Sequence, residues 1–466
     1  MAYFNRTGIF LIMSLMLSWV SKGEAQSLQD AINAAWQNNP AMVRSQSGID
    51  RAGAALGQAK ANYRPTLSFD SSISASSREA SLQDGNNFSE TSEPLSATLR
   101  LNQTLYASGL RTIQSKNARY GLDASNHQKV SDQRALALNV AQSLSDLILS
   151  DFSLKIAIDR AKRNNALIDA ERERLRLGTG TETNVYLVEA RAADAEAAMA
   201  GARSELAATR RAFELVTGLT VEQPYWGNLD LLVVETLEEA VSLALKQSPD
   251  IKAAQANFEI SALNVKASKR RYGPQVALAL EASTSRESSP AIDQDDDLRA
   301  TMTFSLPLYS GNRSSYDKRE ALADQTIAWA NIRALTDDTE QRVTETWYRR
   351  VAAKEQLRAA EAGLNAAAQA LEGVRRGRDA GLWSLTDVLD ASEQLAEAEQ
   401  RQSEAVIALD LAGFELALLV GSLDIASNTH MLTEIQAEDR AAALREPEQS
   451  APQSLRPSKP TGGSRR

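Results

Sequence analysis

The sequence contains no cysteine, which excludes disulfides, thiolate catalysis and cysteine-ligated metals. It also excludes a lipid-modified N-terminus. Only two histidines are present, His127 and His430, far apart in the chain; His127, with no second histidine or cysteine nearby, reads as a surface or helix-groove residue. Aromatic residues make up 5% of the chain while alanine is abundant, a composition that suits long, closely packed helices better than a bulky globular core. No phosphate-binding glycine loop, no Gly-x-Ser-x-Gly and no His-Glu-x-x-His occurs, so no enzymatic constellation and no cofactor are implied. The net charge of -9 argues against nucleic acid as the main partner. Beyond the N-terminus no stretch approaches the roughly 18 consecutive apolar residues of a membrane-spanning helix. If the mature chain enters a membrane, it must do so as β-strands.

What is present begins with an export signal. Arg6 supplies a positive start, Ile9 to Val20 is almost wholly apolar, and Gly23-Glu24-Ala25 places small residues at the cleavage-determining positions. The expectation is a signal peptide over 1–25. A bacterial outer membrane is where an exported, cysteine-free chain with β-strand spans belongs.

The prolines reveal a repeat. Pro40 and Pro249 are 209 residues apart, as are Pro65 and Pro274, and the same shift carries Leu28 to Leu237, Ala31 to Ala240 and Tyr63 to Tyr272. Later correspondences, Gly180 with Gly381, Ala190 with Ala391 and Phe213 with Phe414, give a shift of 201. The chain therefore divides into a first structural repeat over 26–227, a second over 228–433, and a Pro-, Ser-, Glu- and Arg-rich tail over 434–466 that is expected to be disordered in the periplasm. Each repeat reads as a helix interrupted by Pro40 or Pro249, two strands, a very long helix and a last helix.

Strands are expected at about 66–77 and 94–106, and again at about 275–286 and 298–309. Leu95, Ala97, Leu99 and Leu101 alternate with Ser96, Thr98, Arg100 and Asn102, while Met302, Phe304, Leu306 and Leu308 alternate with Thr301, Thr303 and Ser305. The polar stretches Arg78 to Glu93 and Arg286 to Asp297 read as loops at the strand tips, the acidic run in the second as a solvated charge cluster. No proline interrupts Leu110 to Leu177, a helical run on the order of 100 Å. Val140, Leu144, Leu147, Leu154 and Ile158 give it a coiled-coil seam. Two hairpins supply four strands, too few to close a barrel, so several chains must share one. A pore-free periplasmic coiled-coil scaffold or adhesin accounts for the helices but not for the four alternating segments.

Here the sequence resembles the TolC family of outer-membrane efflux proteins. The likeness rests on Leu-x-x-Ala-hydrophobic leading into Asn39-Pro40 and Ser248-Pro249, on Tyr-x-Pro at Tyr63 and Tyr272, and on Leu-Tyr-x-x-Gly and Leu-Tyr-x-Gly after the second strands. Its most specific piece is Gly381-Leu-Trp-Ser-Leu-Thr-Asp387-Val-Leu-Asp390-Ala391. The resemblance implies an α+β membrane protein with an internal tandem duplication: a trimeric channel-tunnel with four transmembrane strands per protomer, a twelve-stranded shared barrel and a long periplasmic α-helical barrel. It implies an export duct, not an enzyme, in the outer membrane of a Gram-negative bacterium. Its partners would be two further copies, a periplasmic adaptor, an inner-membrane ABC or proton-driven pump and outer-membrane lipid. Of type I protein secretion and multidrug efflux, the Asp-Val-Leu-Asp-Ala run and the missing lipid anchor favour the first.

The resemblance makes Asp387 and Asp390 a selectivity entrance, two stacked carboxylate rings in a trimer, whose crowding would raise their pKa values. Ser384-x-x-Asp387 also has the pattern of a helix N-cap with an acidic N3 residue, and both roles hold at once. The tips Gly180-Thr181-Glu182-Thr183 and Gly381-Leu382-Trp383-Ser384 become the adaptor-docking surface. The chain departs from the family at Trp383, where arginine is often found, and at Tyr186, its acidic partner position. These two stand either as entrance-closing aromatic contacts or as ordinary packing within the helical hairpins.

Overall fold

The protein was analysed as a computed structural model, which describes residues 27–81, 87–221, 223–227, 234–289 and 292–421. The expected signal peptide, the expected tail and His430 lie outside the described residues. The chain opens with α1 (Leu28–Asn38), which starts where the Ser27 hydroxyl accepts a hydrogen bond from the Asp30 amide. Pro40 cannot donate to the preceding turn, so α1 stops and α2 (Pro40–Ala61) begins with Pro40 in its first turn. Asn39 serves both: its amide caps the end of α1 and its side chain accepts from the Ala41 amide at 2.9 Å.

Strands follow: β1 (Thr66–Ile73), β2 (Ser76–Ser81), β3 (Asn87–Ser92) and β4 (Leu95–Ala107). Next come α3 (Leu110–Arg176) and α4 (Glu182–Thr217). The second half repeats the plan with α5 (Leu237–Gln247), α6 (Pro249–Arg270), β5 (Gln275–Ser289), β6 (Ile292–Ser305), α7 (Arg313–Asp379) and α8 (Leu385–Val420). Corresponding helices are equal in length: 11 residues for α1 and α5, 22 for α2 and α6, 67 for α3 and α7, and 36 for α4 and α8.

These bounds correct the sequence reading in several places. The helices α3 and α7 start 203 residues apart, as do α4 and α8, so the shift falls from 209 to 203 across the strands, not to 201. The expected strand 66–77 ends at Ile73, and the expected loop from Arg78 to Glu93 is occupied by the separate hairpin β2–β3. In the second half β5 runs to Ser289 and β6 begins at Ile292, so Asp295, Asp296 and Asp297 pair with Ser285, Thr284 and Ser283 in a continuing ladder. Backbone pairing needs no apolar side chain, so the ladder outruns the apolar band that made it visible. At its other end β6 stops at Ser305, short of the expected 309, beside Pro307, which lacks a ladder donor.

The main sheet has the antiparallel order β1-β4-β5-β6, which leaves β1 and β6 as its edges. Its two faces differ sharply. One carries Leu67, Phe69, Leu99, Leu280, Met302 and Phe304, all exposed in the single chain; the other carries serine, threonine, asparagine and a few charged residues.

Below the sheet, α3 packs along α4 and α7 along α8, while α2 and α6 lie against α3. The core gathers where α1, α3, α4 and α8 meet, around Leu28, Ile32, Leu147, Phe213 and Phe414, each at most 2% exposed. Burying such side chains contributes about 1.5–3 kcal/mol each. Trp226 meets Phe414 edge-on at 6.1 Å, fastening the link between the halves onto this core. Along the expected seam Val140, Leu144 and Leu147 are buried. Nearer the helical tips the core thins to Val188, Leu385 and Leu389 in one cluster and Leu371, Val388 and Ala391 in another. Among the described residues no helix is long and apolar enough to cross a membrane.

Candidate functional site at the helical tips

Each pair of long helices ends in a tight turn remote from the sheet. In the first, α3 stops because Gly178 takes a left-handed conformation at φ 74°. Its amide donates to the Leu175 carbonyl at 3.0 Å, and the Thr179 amide donates to Arg174 at 2.9 Å. In the second, Gly381 has φ 78°, its amide donates to the Arg378 carbonyl at 2.9 Å, and the Leu382 amide donates to Gly377 at 2.8 Å. The structural equivalent of Gly381 is therefore Gly178, not Gly180 as the sequence comparison had it. Gly180 occupies the place of Trp383. It needs its missing side chain for another reason: a Cβ there would lie 2.9 Å from the Leu175 backbone nitrogen.

The returning helices are capped by Thr181 and Ser384. The Thr181 hydroxyl accepts from the Asn184 amide at 3.3 Å, with Glu182 and Thr183 exposed in the turn that follows. Ser384 forms a complete reciprocal cap with Asp387: the Asp387 amide donates to the Ser384 hydroxyl at 3.2 Å, and the Asp387 carboxylate accepts from the Ser384 amide at 2.8 Å and its hydroxyl at 2.6 Å. Those two bonds hold the Asp387 carboxyl below the ordinary carboxylate range, the hydroxyl contributing more than the amide. Within the single chain this direction is opposite to the one expected from ring crowding. Asp390 follows one turn later and is exposed, while Leu385 before them and Val388 and Leu389 between them are buried. The two carboxylates thus share the helix face turned away from the core.

Trp383 lies over Gly377, where a Cβ would come within 2.2 Å of the indole Cδ1. Leu382, Trp383 and Tyr186 are all more than half exposed. Among the described residues no ring contact joins Tyr186 to Trp383 within one chain.

The sequence reading missed a charged cluster just above the tips. Glu171 of α3 is 1% exposed, and its carboxylate accepts from the Arg378 guanidinium of α7, itself 9% exposed. Arg174 lies 3.5 Å from the same carboxylate and donates to Asp379 of α7 at 2.8 Å. The exchange is reciprocal: each helix gives one arginine and one acid to the other. Further up, Arg160 of α3 meets Glu393 of α8 at 2.6 Å. Basic residues in a helix's last turn are explained by the macrodipole alone. Only the pairing of residues 207 apart distinguishes Glu171–Arg378 from that ordinary pattern. Among the described residues no cluster of three metal-ligating side chains occurs.

A two-faced sheet above paired helices of this length is the arrangement found in solved outer-membrane channels. The fold matches the crystal structure of the Campylobacter jejuni CmeC outer membrane channel with a TM-score of 0.75, at 14% identity, over 88% of this chain and 89% of that one. The chain itself belongs to the outer membrane efflux protein family, the TolC family, whose sequence model matches residues 31–219 and 240–422. It is 23% identical over 444 residues to the outer membrane efflux protein BepC of Brucella suis, covering 93% of this chain and 94% of BepC. With the outer membrane protein TolC of Escherichia coli it shares 22% identity over 472 residues, 97% of this chain and 92% of TolC.

Proposed function

We propose that the chain forms a homotrimeric, passive duct that carries solutes from an inner-membrane pump and a periplasmic adaptor through the outer membrane. The observation that carries this reading is the four-stranded sheet with one apolar face and free edges at β1 and β6. Four strands cannot close on themselves, and an open edge in lipid leaves backbone groups unsatisfied. Pairing β6 of one copy with β1 of the next removes every edge, and three copies give a twelve-stranded barrel. The apolar faces then meet lipid and the polar faces line the passage. The helices continue the passage as a periplasmic barrel. The equal lengths of the helices in the two halves support an origin by tandem duplication.

At the far end the tips Gly180 to Thr183 and Gly381 to Ser384 meet the adaptor. Asp387 and Asp390 form acidic rings that favour cations at the entrance. The reciprocal cluster of Glu171, Arg174, Arg378 and Asp379 holds α7 against α3 beside that entrance, where Trp383 and Tyr186 leave no charged lock. Type I secretion remains our preferred system, on the Asp387–Ala391 run.

Single-channel conductance of the purified protein in a planar bilayer tests the reading, alongside the Asp387→Ala/Asp390→Ala variant. The expected result is a cation-preferring pore whose preference and divalent-cation block weaken in the variant. A folded wild-type protein that stays monomeric and conducts nothing, with adaptor present, rules the duct out.

A further inference from the structure

The polar face of the sheet is not uniform. Most of its positions are small and uncharged, but two adjacent rows half way along the strands carry charge. In register across three strands stand Arg100 of β4, Glu281 of β5 and Arg299 of β6. Arg100 donates to one oxygen of Glu281 through both Nε, at 3.0 Å, and Nη2, at 2.8 Å. Arg299 turns to Asp297 of its own strand at 3.2 Å. The row toward the helices, Asn102, Ala279 and Thr301, is uncharged; the row toward the hairpin tips contains Asp70 and Asp297. The guanidinium side chains stay open, 45% exposed for Arg100 and 68% for Arg299. Charges at mid-height of a membrane strand are costly toward lipid, and all of these lie opposite the apolar face, toward the passage.

We propose that this row is a second charge filter in the barrel wall, separate from the aspartates at the helical entrance. It engages anionic groups, carboxylate or phosphate, on a passing solute. The inference rests on the duct reading above. Arg100 is balanced by Glu281 and Arg299 by Asp297, yet both guanidinium groups stay exposed, so in a trimer the row presents six open guanidinium groups. Glu281 holds Arg100 in place across the strands through Nε and Nη2, while the Arg100 side chain stays exposed. Guanidinium forks match carboxylate and phosphate oxygens, and a narrow, walled passage strengthens such contacts relative to open water. The solute thus meets acidic rings first and a row of exposed guanidinium groups with paired carboxylates afterwards, so that no single sign of charge is favoured throughout.

The test is the reversal potential of single pores in a potassium chloride gradient, with Asp387 and Asp390 intact. Arg100→Gln/Arg299→Gln should raise the cation-to-anion permeability ratio, and Glu281→Gln should lower it. Shifts of opposite sign are the expected result. If the arginine variant forms no pores, Glu281→Gln alone still decides, by a lowered ratio or an unchanged one. Pores of wild-type selectivity in these variants, or shifts of the same sign, overturn the filter and leave the duct standing. A folded wild-type protein that stays monomeric and conducts nothing with the adaptor present removes both.

Discussion

The two helical tips share one backbone and differ in chemistry. Both close with a left-handed glycine, Gly178 and Gly381, in the same double hydrogen-bonded turn. After that glycine they diverge. The first tip is small, with Gly180 jammed against the end of α3 and a single threonine cap. The second is bulky and apolar, with Leu382 and Trp383 exposed and an acid completing its cap. The geometry is shared while the surfaces differ. One tip carries the large apolar contacts and the acidic face; the other supplies a smooth turn and the glutamate, Glu171, that binds its neighbour.

The largest effect is expected where the tips are tied together. Glu171→Ala leaves the Arg378 guanidinium buried without its partner, a loss of about 3–5 kcal/mol for a pair of this kind. Asp379→Ala breaks the other half of the exchange, but Asp379 is 73% exposed. That loss should be about 0–1 kcal/mol. Urea unfolding followed by helical circular dichroism separates the two. Equal small losses would mean that the buried pair does not hold α3 to α7.

Next come the glycines. Alanine at Gly178 or Gly381 forces a side chain into the left-handed region, costing about 1–2 kcal/mol at either tip. The tips should differ at the neighbouring positions. Gly180→Ala strains only the first, through its clash with the Leu175 backbone. Gly377→Ala displaces the indole of Trp383 and should change tryptophan emission while leaving the first tip untouched. An unchanged spectrum in Gly377→Ala would show that Trp383 does not rest there.

These positions also show what a sequence can disclose. The long helices were legible because proline is absent over more than 60 residues, and the helix breaks because Pro40 and Pro249 leave no alternative. The apolar alternation revealed the strands, though not their extension through Asp295 to Asp297, since hydrogen bonding there continues without an apolar signal. Matching glycine to glycine put Gly180 opposite Gly381; the handedness of the turn selects Gly178, and handedness is not written in residue type when two glycines stand two apart. Ser384 and Asp387 were legible as a cap because the motif is local. Glu171 with Arg378 was not, because a charge on a long helix looks solvated until a second helix, 207 residues away, covers it.

The smallest expected difference lies in the caps. Thr181→Ala and Ser384→Ala each remove a helix N-cap, at about 1 kcal/mol. Only the second should depend on pH. The Asp387 carboxyl is held below its ordinary value of 3.8 by bonds from Ser384 that require the ionised form. Its contribution is therefore complete above the ordinary carboxylate pKa and is lost as pH falls through the lower folded value. The difference between Ser384→Ala and wild type should shrink in that acid window, whereas the Thr181→Ala difference, with Asn184 as its partner, should stay constant. A carbon-13 titration of Asp387 in the assembled protein adds the decisive comparison. A value below the ordinary range means that the cap controls this carboxylate, and a value above it means that crowding in the proposed trimer overrides the cap.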